Sequence, residues 1–186
     1  MANKYRKIEF RFHKELFIIL GVILALLVAA ILLNLPTKNE KFVAKWQEAG
    51  ASIETNTLFE EIDEAKLQKT IVATEGNVFV LFVTPSDSES VSLFNEVLTQ
   101  AETYNVKKIY VLDANDYLGN REEDDELASK LNALQTSLAI TEDTQAPALW
   151  MFVDGKFARQ LDADLVEEQS GYKEAVKQIF VYNLSK

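Results

Sequence analysis

The sequence predicts an α/β domain that follows a single N-terminal membrane-spanning helix. Three observations support this fold class. Residues 16–33 form an uncharged, almost wholly apolar run. After residue 57, strand-like and helix-like patterns alternate. Two of the strand-like segments are continuous β-branched and aromatic runs, which are typical of central strands buried on both faces. The expected division is a basic leader at 1–15, a transmembrane helix at 16–35, a juxtamembrane stalk or helix at 36–57 and a domain at 58–186.

The apolar run is long enough to cross a bilayer. At about 1.5 Å of rise per residue it spans roughly 27 Å, close to the thickness of the hydrocarbon core. A cleaved signal peptide would have a shorter apolar region followed by small residues at the cleavage site, and no clear Ala-x-Ala site follows this run. A lipoprotein anchor needs a cysteine, and the chain has none. We therefore expect an uncleaved, single-pass anchor.

Charge is divided unevenly around this run. Residues 1–15 carry five Lys/Arg and two Glu, and of the 19 Lys/Arg and 29 Asp/Glu in the chain this leaves 14 basic and 27 acidic residues after Leu33. The positive-inside bias predicts a cytoplasmic N-terminus and an extracytoplasmic domain at the cell membrane. The acidic balance also argues against nucleic-acid binding, which needs clustered Lys/Arg.

The elements before the first buried strand are read from spacing. Residues 38–50 place Phe42, Val43 and Trp46 at helical intervals. Trp46 suits either an interfacial anchor or packing on the domain, and the sequence does not choose between them. Residues 58–62 form a short extended segment, and residues 64–74 have apolar side chains at near-helical intervals.

The central elements show the clearest patterns. After the turn signal Gly76-Asn77, residues 78–83 read Val-Phe-Val-Leu-Phe-Val, as expected for a buried strand. Residues 88–104 carry an apolar stripe on one helical face, and residues 108–113 form a second buried strand. Residues 126–138 have leucines every three or four positions, with acids at the start that favour the helix dipole.

The last elements form a hairpin and a helix. Residues 148–153 and 156–161 are separated by Asp154-Gly155, a strong signal for a β-hairpin. Residues 165–184 carry an apolar stripe that predicts one terminal helix. The predicted order of the domain is β-α-β-α-β-α-β-β-α.

This order resembles a thioredoxin-like fold, a central mixed sheet flanked by helices, over residues 58–184. Strand 78–83 runs into a loop and a long helix at Ser88, where thioredoxins carry their active-site helix. Ala146-Pro147 stands immediately before a strand, as the family's cis-proline does. Residues 148–157 resemble the family's strand, its turn with a glycine and a basic residue, and the next strand. The chain is most similar to the membrane-anchored bacterial branch that includes bacteriocin transport accessory proteins.

The chain departs from the family where the chemistry lies. Thioredoxins carry Cys-x-x-Cys in the loop after the central strand, with a thiolate stabilised at the helix N-terminus. Here residues 84–90 read Thr-Pro-Ser-Asp-Ser-Glu-Ser, which sets Asp87 and Ser90 at the thiol positions. Leu81 falls at or near the place of the family's buried acid. The resemblance therefore predicts a redox-inactive member without thiol–disulfide oxidoreductase activity.

Other catalytic sites are poorly supported. A serine nucleophile needs a base within hydrogen-bond reach, and the one histidine, His13, lies in the leader. A Ser-Lys pair stays formally open. The simpler interpretation is that Ser86, Asp87 or Ser88 caps the following helix, with Glu89 adding a favourable charge.

The sequence also gives little support for a metal site. Without cysteine or an external histidine, zinc, copper and iron lack their usual ligands. Residues 113–119 begin like a calcium loop, and acids follow at 122–126. Tyr117 and Leu118 occupy the fifth and sixth positions, where an EF-hand needs a ligand and a glycine. We expect no metal and no cofactor, with weak calcium binding at this loop as the alternative.

The retained frame around the missing thiols predicts a binding groove. Its candidate residues are Pro85, Ser86, Asp87, Ser88, Ser90, Ala146 and Pro147. The resemblance implies that the backbone of Ala146 faces the loop and pairs with an extended peptide, as thioredoxins do with clients. The alternative is a vestigial groove in which the proline only shapes the sheet edge.

The expected function is a membrane-anchored binding or scaffold module for an envelope or secreted protein. One alternative is an accessory role in export or maturation of a secreted, bacteriocin-type peptide, and another is an unrecognised non-thiol enzyme. Oligomeric state is left open. Gly21, Ala25 and Ala29 lie four residues apart on one helical face, a pattern that permits close packing of transmembrane helices.

Overall fold

The computed structural model describes residues 14–117, 125–142, 144–161, 163–168 and 171–182. The chain divides into two compact units, Met1–Thr37 and Lys38–Lys186. Most of the predicted leader lies outside the described residues, as do residues 118–124 of the acidic loop.

The first unit contains one long helix, α1 (Lys14–Leu33). Its C-terminus is closed by Asn34, whose backbone N–H and side-chain amide both donate to the carbonyl of Ala30. Ten large apolar side chains between residues 17 and 28 are 47–66% exposed. The side chains of residues 15, 16 and 31–33, at the two ends of α1, lie outside the described ones.

Within the part of the chain that the structure describes, no helix has the combined length and hydropathy of a membrane span. The transmembrane segment at 16–35 therefore stays a sequence-based prediction.

The second unit is built on a five-stranded mixed sheet. Its strands are β1 (Phe59–Glu61), β2 (Asn77–Val83), β3 (Ile109–Asp113), β4 (Ala148–Val153) and β5 (Lys156–Gln160), in the spatial order β1-β3-β2-β4-β5. β3 lies between β1 and β2 and is parallel to both, whereas β4 is antiparallel to β2 and to β5. The predicted α/β class with a central mixed sheet is confirmed.

Helices cover both faces of this sheet. They are α2 (Lys38–Glu48), α3 (Glu64–Ala73), α4 (Ser88–Thr103), α5 (Asp125–Ser137), α6 (Ala163–Glu168) and α7 (Lys173–Tyr182). Alternate side chains of β2 enter two separate cores. Phe79, Leu81 and Val83 pack with α2, α4 and α7 on one face. Val78, Val80 and Phe82 pack with α3 and α5 on the other. Six of the seven β2 residues are buried, which explains their continuous apolar run.

Of the stalk or helix predicted at 36–57, the structure has a helix, α2, which belongs to the second unit. The second unit begins at Lys38 rather than at residue 58. Phe42 and Trp46 are 4% and 1% exposed and belong to the same core as Phe94. Of the two interpretations of Trp46, packing on the domain is the one observed. The physical reason is the burial of two large aromatic side chains, which a solvated stalk would leave in water.

The predicted terminal helix at 165–184 is also wrong in part. Two helices, α6 and α7, lie there, and Gly171 and Tyr172 between them are not helical. The N–H of Gly171 donates to the carbonyl of Val166 at 3.0 Å, a bond from residue i+5 that is typical of a helix C-terminus. Residues 169, 170, 183 and 184 of this prediction lie outside the described residues.

Candidate functional site

The register of β2 and β4 brings the two halves of the predicted groove to one end of the sheet. These strands are antiparallel neighbours, with Phe82 opposite Ala148. β2 ends at Val83 and β4 begins at Ala148. The chain leaving β2 and the chain entering β4 therefore lie side by side, which places the loop at residues 84–87 next to Ala146-Pro147.

The loop after β2 is a tight turn. The backbone N–H of Asp87 donates to the carbonyl of Thr84 at 3.3 Å, with Pro85 at the second position, where its fixed φ suits a β-turn. The hydroxyls of Thr84 and Ser86 are 3.0 Å apart and share a hydrogen bond. Thr84 is buried, whereas Ser86 is exposed.

Asp87 caps helix α4. Its backbone is extended, and its carboxylate accepts from the N–H of Ser90 at 2.8 Å and from that of Glu89 at 3.4 Å. The prediction that a polar residue of this loop caps the helix is confirmed, and Asp87 is the one that does so. Ser88 and Glu89 are exposed in the first turn of α4. The positive end of this helix is thereby occupied by side chains of the protein itself.

Of the three positions that the resemblance assigns to thiol and proton chemistry, Asp87, Ser90 and Leu81, the last two are fully buried. Ser90 is fully buried, and among the described residues its Oγ has no hydrogen-bond partner. Leu81 is also fully buried and packs in the core. Neither side chain can exchange a disulfide, and the whole chain has no cysteine.

The segment before β4 presents open backbone. The Ala146–Pro147 peptide bond is cis, as the resemblance implies. Both residues are half-buried, and the preceding Gln145 is exposed. No hydrogen bond joins the backbone N–H or carbonyl of Ala146 to another described residue. These two groups are the kind that an extended peptide pairs with.

Sequence reasoning missed Tyr172, which lies between α6 and α7. Burial raises the pKa of its hydroxyl, and the charges of Glu89 and Asp87 raise it further. The tyrosine packs against the core that α4 and α7 share, and its hydroxyl keeps its proton at neutral pH. The dipeptide Ser170-Gly171 is a sequence signal for a loop. Only the packing of α7 on α4 brings Tyr172 near the charges of α4.

Among the described residues, no lysine amine is hydrogen-bonded to Ser86, Ser88 or Ser90, so the formally open Ser-Lys pair gains no support.

The candidate calcium loop is used for other contacts over its described part. Asp113 accepts from the N–H of Asn115 and from the amine of Lys45, at 3.0 and 2.9 Å. The hydroxyl of Tyr117 donates to Glu64 at 3.2 Å. Within the described residues, no group of three or more histidine, cysteine or acidic side chains has the geometry to hold a metal ion. The remainder of the loop, residues 118–124, lies outside them.

Comparison with solved structures returns thioredoxins at low identity. Thioredoxin from Trypanosoma brucei brucei is 11% identical with a TM-score of 0.42, covering 69% of this chain and 96% of that chain. The oxidised thioredoxin of Plasmodium falciparum is 13% identical with a TM-score of 0.42, covering 68% and 97%. Thioredoxin O2 from Arabidopsis thaliana, in the oxidized state, is 14% identical with a TM-score of 0.41, covering 67% and 96%.

The sequence matches no protein-family model and no curated protein. The thioredoxin-like fold of this chain therefore rests on its own strand order and register.

Proposed function

We propose that this protein is a membrane-anchored, redox-inactive thioredoxin-like module that binds an extended segment of an envelope or secreted protein. The binding site is the groove formed by Pro85, Ser86, Asp87, Ser88, Ala146 and Pro147. Ser90, which the sequence predicted in this groove, is fully buried and is not available to a partner. The observation that carries the proposal is the open backbone of Ala146, half-exposed beside a loop that has no thiol. Two free peptide groups at such a position can add hydrogen bonds to a partner without any covalent chemistry.

The polar groups around this backbone support binding over catalysis. Asp87 is engaged as a helix cap, and Ser90 is buried, so neither is poised to attack a substrate. Ser86 and Ser88 are exposed and offer hydroxyl groups that both donate and accept. A partner strand lying on Ala146 would meet these hydroxyls along its edge.

The anchor is supported by the sequence and by the exposure of α1. As a helix, the apolar run at 16–33 would be about 27 Å long at 1.5 Å per residue, close to the hydrocarbon thickness of a bilayer, and this support comes from the sequence. Its described apolar side chains are exposed on all sides, which water disfavours and lipid does not. The basic leader and acidic domain support an extracytoplasmic orientation.

Photo-crosslinking in native membranes tests the groove. A photoreactive residue at Ser88 or Ala146 is expected to capture one discrete partner. The matched control is Val72, which is 80% exposed on α3, across the sheet from α4. Capture from both groove positions and not from Val72 supports the proposal and identifies the client.

Equal capture from all three positions, or none from the groove, would make the groove vestigial. The branch resemblance adds a narrower role in export of a secreted peptide, for which the captured client would be a peptide precursor or its transporter.

A further inference from the structure

A second surface of the domain has the features of a strand-binding site. Among the strands that the structure describes, β1 is an edge strand, because β3 is its only neighbour in the sheet. The carbonyl of Leu58 accepts from Ile109, and the N–H of Ile62 donates to Val111, so the even-numbered residues of this stretch face β3. The backbone groups of Phe59 and Glu61 therefore point away from the sheet.

One half of this edge is covered by a side chain. The amide of Asn56 accepts from the N–H of Phe59 at 2.7 Å and donates to its carbonyl at 2.8 Å. Asn56 is 9% exposed, and its own carbonyl accepts from the side chain of Asn39 in α2. A primary amide here makes the two bonds that a neighbouring strand would make. Asn56 covers only the backbone of Phe59. The backbone N–H and carbonyl of Glu61 point outward without such a cover, and we call this part of β1 the open edge.

A groove of about 650 Å³ runs along this edge. Phe42, Phe59 and Ile62 form its apolar part, and Lys38, Lys41 and Lys66 lie around it. An edge strand flanked by side chains from helices on both faces, α2 and α3, can hold the alternating side chains of an added strand.

The charges of the groove are not balanced. Its two glutamates are already paired, Glu60 with Lys108 and Glu61 with Lys45, an amine that Asp113 shares. Lys66 pairs with Asp63. Lys38 and Lys41 are exposed and have no ion-pair partner among the described residues. In a region with 14 basic and 27 acidic residues, two unpaired lysines beside an open strand edge form a local cationic patch.

We propose that the open edge of β1 binds an extended, acidic segment of another protein by strand addition next to Glu61. Carboxylates of the added strand pair with Lys38 and Lys41, and its backbone bonds to the outward groups of Glu61. This site is distinct from the groove at residues 84–90 and 146–147, so it extends the proposed function and does not depend on it. The apolar part of the groove takes the strand's intervening side chains.

Peptide binding to the full-length protein in detergent micelles tests this site. The probe is a fluorescent nonapeptide that alternates glutamate and threonine, and its comparison is the same peptide with lysine in place of glutamate. We expect saturable binding of the acidic peptide only. Lys38→Glu combined with Lys41→Glu is expected to weaken binding about tenfold, because two attractive contacts become repulsive. Lys173→Glu on α7 is the matched control and leaves affinity unchanged.

A pair of substitutions at Glu61 separates strand addition from charge attraction. Glu61→Pro removes an outward N–H, which does not bond to β3, together with the carboxylate that pairs with Lys45. Edge strands tolerate proline in that orientation. We expect it to weaken binding about fivefold, the loss of roughly one hydrogen bond. Glu61→Gln removes the same charge and keeps the N–H, so its affinity stays within about twofold of wild type. Circular dichroism verifies that each variant is folded.

Three results would overturn the proposal. The first is equal binding of the acidic and basic peptides, or binding of neither. The second is an effect of the lysine reversals with none of Glu61→Pro, which would indicate charge adsorption without strand addition. The third is a mass, measured by light scattering, that rises with protein concentration and falls in Glu61→Pro, which would make a second copy of the chain the occupant of the edge.

Discussion

At the scale of single residues, Asp87 has a structural role as the N-cap of α4. Its carboxylate accepts from two backbone N–H groups that would otherwise be unpaired at the start of α4. The sequence predicted a cap in this loop because Ser and Asp surround the helix start. It could not choose among three candidates, since the choice depends on the turn that Thr84 and Asp87 close.

Replacing Asp87 tests the cap. Asp87→Ala is expected to lower the free energy of unfolding by about 1 kcal/mol, since alanine leaves the N–H groups of Glu89 and Ser90 without their acceptor. Asp87→Asn, which keeps a side-chain oxygen, should cost clearly less. Urea unfolding of the full-length protein measures both. Equal losses in the two variants would mean that charge, and not the hydrogen bond, stabilises the helix start.

Ser90 gives the opposite expectation. Its Oγ is buried and, among the described residues, unpaired, so folding removes it from water without compensation. Ser90→Ala should therefore raise the free energy of unfolding, by about 1 kcal/mol. Ser88→Ala at an exposed neighbouring position is the control. A destabilised Ser90→Ala variant would contradict the unpaired hydroxyl.

The hydroxyl of Tyr117 should lose its proton only at high pH. Burial raises its pKa to about 12, and Glu64 and Asp116 contribute through their charges and the hydrogen bond to Glu64. Because the folded pKa exceeds the unfolded value of about 10, this hydroxyl stabilises the fold fully below pH 10, and the contribution is lost as the pH rises towards 12.

Ultraviolet titration of tyrosinate, taken as wild type minus Tyr117→Phe, should show this high pKa, and Glu64→Gln should lower it. An unchanged titration in Glu64→Gln would remove Glu64 as a cause.

At the scale of elements, α2 is the helix whose role the sequence left undecided. Trp46 stacks on Phe94 with ring centroids 4.1 Å apart. Phe59 of β1 also stacks on Phe94, with ring centroids 4.4 Å apart. Lys45 adds ion pairs to Glu61 and Asp113, at the ends of β1 and β3. The helix thus joins the edge of the sheet to α4.

Removing the indole should be costly. Trp46→Ala is expected to lower the free energy of unfolding by about 3–5 kcal/mol, through lost burial and the cavity left in the core. Trp46→Phe keeps an aromatic ring and should lose less. Denaturant unfolding followed by circular dichroism measures the difference. A loss under about 1 kcal/mol for Trp46→Ala would mean that α2 is a stalk after all.

Fragments test the same helix as a unit. A fragment of residues 38–186 should fold cooperatively, because it contains the whole second unit. A fragment of residues 58–186 lacks α2 and exposes the rings of Phe59 and Phe94, so we expect loss of cooperative unfolding and rapid proteolysis. Indistinguishable unfolding of the two fragments would return the domain boundary to residue 58.

At the scale of the whole molecule, α1 exposes its described apolar side chains, whereas the second unit buries its own in two cores. We expect the protein to stay in the membrane fraction after alkaline carbonate treatment, and a fragment starting at residue 38 to be released. Protease added to intact spheroplasts should digest the domain if it faces outward, as the charge bias predicts. Extraction of the full chain by carbonate would contradict the anchor.

Much of the architecture follows from the sequence for local reasons. The run at 78–83, the Asp154-Gly155 turn and the stripes of α3, α4 and α5 each report the environment of their own residues, so strands and helices were predicted within a few positions. The absence of cysteine settles the thiol chemistry by composition alone. The single terminal helix was the main local error, because Tyr172 and its neighbours fit an apolar stripe as well as a break.

What only the tertiary structure decided depends on residues far apart in the chain. Trp46 is buried against Phe94, the charge of Asp87 acts on Tyr172, and the carbonyl of Asn56 accepts from the side chain of Asn39. The periodicity of apolar residues predicts whether a side chain is buried or exposed, but it does not predict which residues that side chain contacts. The sequence therefore determined the class of fold and the absence of thiol groups. The contacts of α2, the groove and the open edge are properties of packing.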